Sequence, residues 1–220
     1  MGALIWGVAL TGCKPHPAGL LYFALAALVV LLVHEMGHAL VGKRFMGQPY
    51  EVRLSFRGGL CRRLSEPSDE LPTRRAVLCT VLAGPVTGIV LSLLLCLGLV
   101  AVTGSVAGAL ELGARMLGGE VPMEYAGVCP PLLLLQGVYL LQISVFWTLL
   151  NLLPLYPLDG GLVICELMEA KGWNIALTIS LVMAIVLAVV FFALGIWALS
   201  ALMLLLAYMS YRSIGISMDE

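Results

Sequence analysis

The sequence predicts an all-α polytopic membrane protein with about five transmembrane helices and a short membrane-associated β-hairpin between the first two. Of its 220 residues, 61% are hydrophobic and only 11% are charged. This balance excludes an ordinary water-soluble domain. Four stretches lack Asp, Glu, Lys and Arg, and each approaches or exceeds the roughly 20 residues that cross a bilayer. They cover residues 15–33, 76–110, 125–158 and 172–211.

The last apolar stretch is long enough for two crossings, and Gly195 near its middle marks the expected turn. We therefore expect one membrane domain at 17–211, with an extracytoplasmic or interfacial segment before it at 1–16 and a cytoplasmic tail after it at 212–220. The predicted spans are about 17–42, 76–101, 132–153, 173–193 and 195–211.

Basic residues predict the orientation of the chain in a cell membrane. Eight of the twelve lie between the first two spans, and this connection is cytoplasmic by the positive-inside rule. Five spans then place the N-terminus outside and the C-terminus in the cytoplasm. The membrane topology explains the basic cluster, so the cluster does not indicate binding to nucleic acid. The partner expected from composition is the lipid bilayer. The eight are Lys43, Arg44, Arg53, Arg57, Arg62, Arg63, Arg74 and Arg75.

The same connection contains the predicted β-hairpin, at 50–64. Val52, Leu54 and Phe56 alternate with polar residues, and Gly58 follows as a turn residue. Alternation with a period of two is typical of a strand. Two interpretations remain open: the hairpin holds an unwound substrate by strand addition, or it only lies at the lipid surface.

The chemistry begins at 34–38, where the sequence HEMGH continues the first apolar span. Residues i and i+4 share one face of a helix, so His34 and His38 can ligate one metal while Glu35 serves as the base. Ionisable side chains are costly inside a membrane, at roughly 2.5 to 3.5 kcal/mol each on insertion scales. The alternative is a set of polar side chains that only bond neighbouring helices. His38 precedes Lys43 by about 7 to 8 Å of helix, which places the site near the cytoplasmic face.

A tetrahedral zinc with one water needs a third protein ligand. Asp159 follows the third predicted span, in the sequence NLLPLYPLDGG at 151–161, and returns to the same depth. Its alternative role is that of the N-cap of the next helix. Glu166 and Glu169 are weaker candidates for the third ligand.

HEMGH and NLLPLYPLDGG resemble the signature pair of the site-2 protease family of intramembrane zinc metalloproteases. Ala83-Gly84-Pro85 resembles that family's AGP element. A compact, sporulation-factor-like member without a PDZ or CBS domain is the nearest kind. The resemblance implies that His34, His38 and Asp159 bind one zinc per chain, with Glu35 as catalytic base. It also implies that Asn151 positions the substrate or a tetrahedral intermediate. Many members have Asn where this chain has Gly88, so the resemblance implies no polar role there.

The expected function is zinc-activated hydrolysis of a transmembrane or membrane-associated protein near the cytoplasmic face, releasing a regulatory protein. A regulatory partner is possible, but the sequence identifies none. Two alternatives remain. One is a membrane-anchored zincin whose site lies outside the bilayer, and the other is a non-catalytic metal-binding membrane protein.

Overall fold

The computed structural model describes residues 17–46, 50–55, 58–63, 72–127 and 129–216. Five helices in these ranges are long and apolar enough to cross a membrane, by length and composition: Gly19–Phe45, Arg74–Thr103, Pro131–Leu152, Gly172–Ala193 and Trp197–Ile214. The protein is accordingly a multi-pass membrane protein. The full elements are α1 (Pro17–Met46), β1 (Tyr50–Ser55), β2 (Gly58–Arg63), α2 (Arg74–Thr103), α3 (Val106–Leu117), a 3-10 helix (Met123–Tyr125), α4 (Pro131–Leu152), α5 (Asp159–Ala193) and α6 (Trp197–Ile216).

The predicted fold class needs correction in its count of helices. The expected five transmembrane helices match the five candidate spans, but the described residues also form a sixth α-helix and one 3-10 helix. The additional α-helix, α3, begins at its N-cap Ser105, whose Oγ accepts a hydrogen bond from the Gly108 N–H at 3.0 Å. Leu112 and Met116 of α3 are buried against α4. A helix of 12 residues is too short to give the hydropathy signal of a membrane span, and its buried apolar residues occupy a single face.

The β-hairpin predicted at 50–64 is present as β1 and β2. β1 and β2 pair in antiparallel register from Tyr50 opposite Arg63 to Ser55 opposite Gly58, so the described residues are not all helical. Both strands contact α1. Among the described residues, these strands contact the first helix, and we carry neither a membrane association nor a substrate role for them forward.

Two groups of helices make up the membrane-spanning part. α1, α2 and α4 contact one another, and α5 packs along α6. Helix α2 begins at its N-cap Thr73 and ends at Gly104, whose φ of 71° is left-handed and therefore favours glycine. Gly195, in the turn between α5 and α6, also has a left-handed φ, of 75°, which favours glycine. The first segment of α5, before residue 172, lies between these two groups and begins with Asp159.

Candidate metal centre

His34 and His38 lie one turn apart on α1, inside the first candidate membrane span. Their Nε2 atoms are 3.2 Å apart, and the two rings meet edge to face at 4.8 Å between centroids. The relative exposure of the two residues is 2% and 8%. Both imidazoles thus present Nε2 to one buried point between the helices.

A backbone carbonyl of α2 decides which nitrogen of His38 carries its proton. His38 Nδ1 lies 2.7 Å from the Thr80 carbonyl oxygen. A carbonyl only accepts hydrogen bonds, so Nδ1 is the donor and Nε2 of the neutral ring keeps its lone pair. This is the tautomer that a metal ligand needs, and such a partner fixes the ring orientation.

Asp159 brings a carboxylate to the same point from the first turn of α5. One carboxylate oxygen lies 3.0 Å from His34 Nε2 and the other lies 3.5 Å from His38 Nε2. The helix N-cap is Leu158, with no side-chain hydrogen bond, so the interpretation of Asp159 as N-cap is wrong. The carboxylate is directed at the two histidines instead of at its own helix.

The spacing of these groups fits a zinc ion. Ligating atoms of His34, His38 and Asp159 all lie within 4.8 Å of one another. A tetrahedron with bonds of about 2.0 to 2.1 Å has edges of about 3.3 to 3.4 Å. The measured distances of 3.0, 3.2 and 3.5 Å bracket these edges. Among the described residues, Asp159 Oδ2 has no hydrogen-bond partner, because its contact with His34 has the distance of an ion pair but not the geometry of a hydrogen bond.

Space for an ion depends on Gly84 of α2. A Cβ built on Gly84 would lie 2.7 Å from His34 Nε2 and 2.5 Å from His38 Cε1, with His38 Nε2 closer still. Real Cβ contacts essentially never fall below 3.0 Å. The backbone of α2 therefore forms the wall in front of both ligating nitrogens, and only glycine leaves that volume open.

The remaining predicted residues lie around this cluster. Glu35 is 6% exposed, and its carboxylate interacts electrostatically with both histidines and with Asp159. Asn151 is 5% exposed, and its Nδ2 donates to the Trp147 carbonyl oxygen at 2.9 Å. The structure therefore brings His34, His38 and Asp159 together with Glu35 beside them. Asn151 instead bonds its own helix.

Sequence reasoning missed two contributors to this centre and assigned no role in it to a third, Gly84. The Trp147 ring packs edge to face on His34, at 6.2 Å between centroids. In the sequence, only its spacing of four residues from Asn151 could have indicated that Trp147 lies near the centre, since such residues share a helix face. Gly84 entered the sequence argument only through the AGP resemblance. The Thr80 contribution uses a backbone carbonyl, so no residue type could have indicated it.

Comparison with known proteins agrees with this centre. Residues 22–195 match Peptidase family M50, and the match includes His34, Glu35, His38 and Asp159. A search of curated proteins finds no match. The resemblance to the site-2 protease family is thus confirmed. Because the match covers most of the chain, the protein belongs to Peptidase family M50, a family of site-2 type membrane metalloproteases that are in general zinc-dependent.

Proposed function

We propose that this protein is an intramembrane zinc endopeptidase in which His34, His38 and Asp159 bind one zinc ion and Glu35 is the general base. The observation that carries the proposal is the convergence of the three ligating groups within 4.8 Å, two of them on a helix long and apolar enough to span a membrane. Bound zinc supplies Lewis acidity, which lowers the pKa of a water molecule and polarises a peptide carbonyl.

The protein's own residues then act on protons and position. Glu35 accepts the proton of the attacking water and returns it to the departing amine, which is the usual task of the glutamate in an HExxH helix. Its burial beside two imidazoles keeps bulk water from competing for that proton. The Thr80 carbonyl holds His38 in the ligating tautomer throughout. Asn151, one turn beyond Trp147, is proposed to position the substrate segment.

The substrate is proposed to be a transmembrane or membrane-associated protein, cut near the cytoplasmic face to release a regulatory protein. Buried ligands between membrane-spanning helices favour a substrate that approaches from the bilayer. The proposed topology has an outer N-terminus and a cytoplasmic C-terminus. It rests on Lys43 and Arg44 in the last turn of α1 and on Arg74 and Arg75 in the first turn of α2.

The test compares cleavage of a reporter with a transmembrane segment by the parent, Glu35→Gln and Glu111→Gln. Glu111 is an exposed residue of α3, so Glu111→Gln removes the same charge away from the centre. We expect Glu35→Gln to lower the cleavage rate by about 10²- to 10⁴-fold, the usual contribution of a general base, with zinc content retained. Equal cleavage by Glu35→Gln and the parent would refute the mechanism. Zinc retained at full occupancy in Asp159→Ala would remove Asp159 from the centre.

The outcome also separates the two alternatives. A non-catalytic metal-binding protein would hold zinc and cleave nothing in any variant. A membrane-anchored zincin with a site outside the bilayer would cleave a soluble peptide as well as the transmembrane reporter. We expect cleavage of the transmembrane reporter to predominate, because the three ligating groups are buried.

A further inference from the structure

The turn that precedes Asp159 is held by two backbone hydrogen bonds, and neither of them involves Tyr156. Leu155 N–H donates to the Leu153 carbonyl oxygen at 2.7 Å, and Leu158 N–H donates to the Leu155 carbonyl oxygen at 2.7 Å. The N–H and C=O of Tyr156, between them, have no backbone partner in this turn. Buried backbone groups need partners, so their partners must come from elsewhere.

Two serines satisfy both backbone groups of Tyr156. Tyr156 N–H donates to Ser180 Oγ at 2.7 Å, and the two serine oxygens are 2.8 Å apart. Ser210 O–H is directed at the carbonyl oxygens of Tyr156 and Leu206, at 3.3 Å and 3.0 Å. Carbonyls only accept, so the single proton of Ser210 points to them. With the Ser210 proton on these carbonyls, Ser180 O–H donates to Ser210 Oγ, and the three residues form a closed hydrogen-bonded ring.

This ring is dry. Ser180 is 1% exposed and Ser210 is 0% exposed, on α5 and α6 respectively. Leu155 beside it is 0% exposed and belongs to a cluster with Ala184 and Met203 of the same two helices. Hydrogen bonds are stronger without competing water, and a group left unpaired there is costly.

Displacement of Tyr156 would reach Asp159 directly, because only two residues separate them. The start of α5 is also pressed against the turn: a Cβ built on Gly160 would lie 2.7 Å from the Leu152 carbonyl carbon. One built on Gly161 would overlap the backbone of Leu155 and Tyr156. The start of α5 and the turn before it are therefore packed backbone against backbone, and a shift of one would displace the other.

We propose that Ser180 and Ser210 are positioning residues that hold the Tyr156 turn and thereby place the Asp159 carboxylate on the two histidines. This rests on the proposed function, in which Asp159 is a zinc ligand. Ser210 lies on α6, beyond the matched residues 22–195, so part of the support for the metal centre comes from outside the family match.

The test measures the zinc Kd of the full-length protein in detergent by competition with a chelator, together with the Tm of the metal-free protein. Ser180→Ala and Ser210→Ala are expected to raise the Kd about 10-fold, the lower end of the effect of outer-shell changes. The double variant is expected to raise it little further, because both serines belong to one ring.

Ser200→Ala is the matched control. Ser200 also lies on α6 and is 6% exposed, and its Oγ donates to the Ala188 carbonyl oxygen of α5 at 2.9 Å. Ser200→Ala therefore removes a buried hydrogen bond of the same kind between α5 and α6, at a position away from Tyr156. We expect a similar fall in metal-free Tm and a Kd within about twofold of the parent. Ser180→Cys and Ser210→Cys keep the side-chain position filled with a weaker hydrogen-bonding group, and they are expected to raise the Kd by less than alanine does.

The proposal is overturned if the alanine and cysteine variants keep the parental Kd while their Tm falls as in Ser200→Ala, since the serines would then only hold α5 and α6 together. Asp159→Ala, measured in parallel, separates this failure from that of the proposed function. Zinc retained in Asp159→Ala contradicts both. Zinc lost in Asp159→Ala, with parental Kd in the serine variants, contradicts the positioning role alone.

Discussion

Substitution of Gly84 by alanine tests the geometry of the metal centre with one methyl group. The added Cβ would stand 2.7 Å from His34 Nε2 and 2.5 Å from His38 Cε1. Ordinary carbon contacts are about 3.5 to 4.0 Å, so the rings would have to withdraw by about 1 Å. Metal–ligand distances tolerate deviations of only about 0.2 Å. We therefore expect the zinc Kd to rise about 100-fold, the upper end of the effects of outer-shell changes.

Helix α2 cannot simply move away to relieve the contact. His38 is bonded to the Thr80 carbonyl at 2.7 Å, and Thr87 Oγ1 donates to the Val33 carbonyl oxygen at 3.2 Å. A Cβ on Gly37 would lie 2.7 Å from the Ala83 carbonyl oxygen, so the two backbones already touch. Retreat of α2 would break these contacts across the whole α1–α2 interface, and movement of the rings is the smaller change.

Gly98→Ala is the control in the same helix. Gly98 is exposed, and a Cβ there would meet nothing within 4 Å. The assay is zinc per chain after dialysis, followed by chelator competition on the full-length protein in detergent. Gly98→Ala is expected to keep parental zinc binding, with the same gain in helix propensity as Gly84→Ala. One zinc per chain with an unchanged Kd in Gly84→Ala would refute the assignment of that volume to the ion.

Three further outcomes are expected. Removal of zinc by a chelator should lower the Tm, because an ion present at 1,000 times its Kd stabilises the fold by about 4 kcal/mol; an equal Tm with and without the ion would contradict a site built into the fold. Thr87→Val removes a hydroxyl shared between the Gly84 carbonyl oxygen of its own helix at 2.8 Å and the Val33 carbonyl oxygen at 3.2 Å. It should lower the free energy of unfolding by about 0.5 kcal/mol, as interhelical hydrogen bonds in membranes do, without a change in zinc content. Hydrogen bonds from Arg115 lower the pKa of Glu120 and Glu124, so the stability they add is present above the unfolded pKa, near 4.3, and is lost as the pH falls through the lowered values. The difference in metal-free Tm between the parent and Arg115→Gln should therefore shrink as the pH falls below the unfolded pKa, and a difference that grows with acid would contradict the assignment.

The family and the chemistry of the centre followed from local sequence. HEMGH within an apolar span identifies two ligands and a base, because helical periodicity alone brings residues four apart to one face. Span number followed from the same kind of signal, since four long apolar stretches, the last long enough for two crossings, need no tertiary information. The feature absent from the predicted fold class was the short helix α3. Its packing on a neighbouring helix, which hydropathy does not encode, is what the structure shows.

Sequence by itself thus determined the membrane class, the two histidines with Glu35, and Asp159 as a candidate third ligand. Only the tertiary structure decided that Asp159 meets the histidines at 3.0 and 3.5 Å, that Gly84 leaves room in front of them, and that Ser180 and Ser210 hold the turn. The physical reason is the sequence separation over which each signal acts. Periodicity and hydropathy act over a few residues, whereas these contacts join atoms from helices far apart in the chain and depend on their packing.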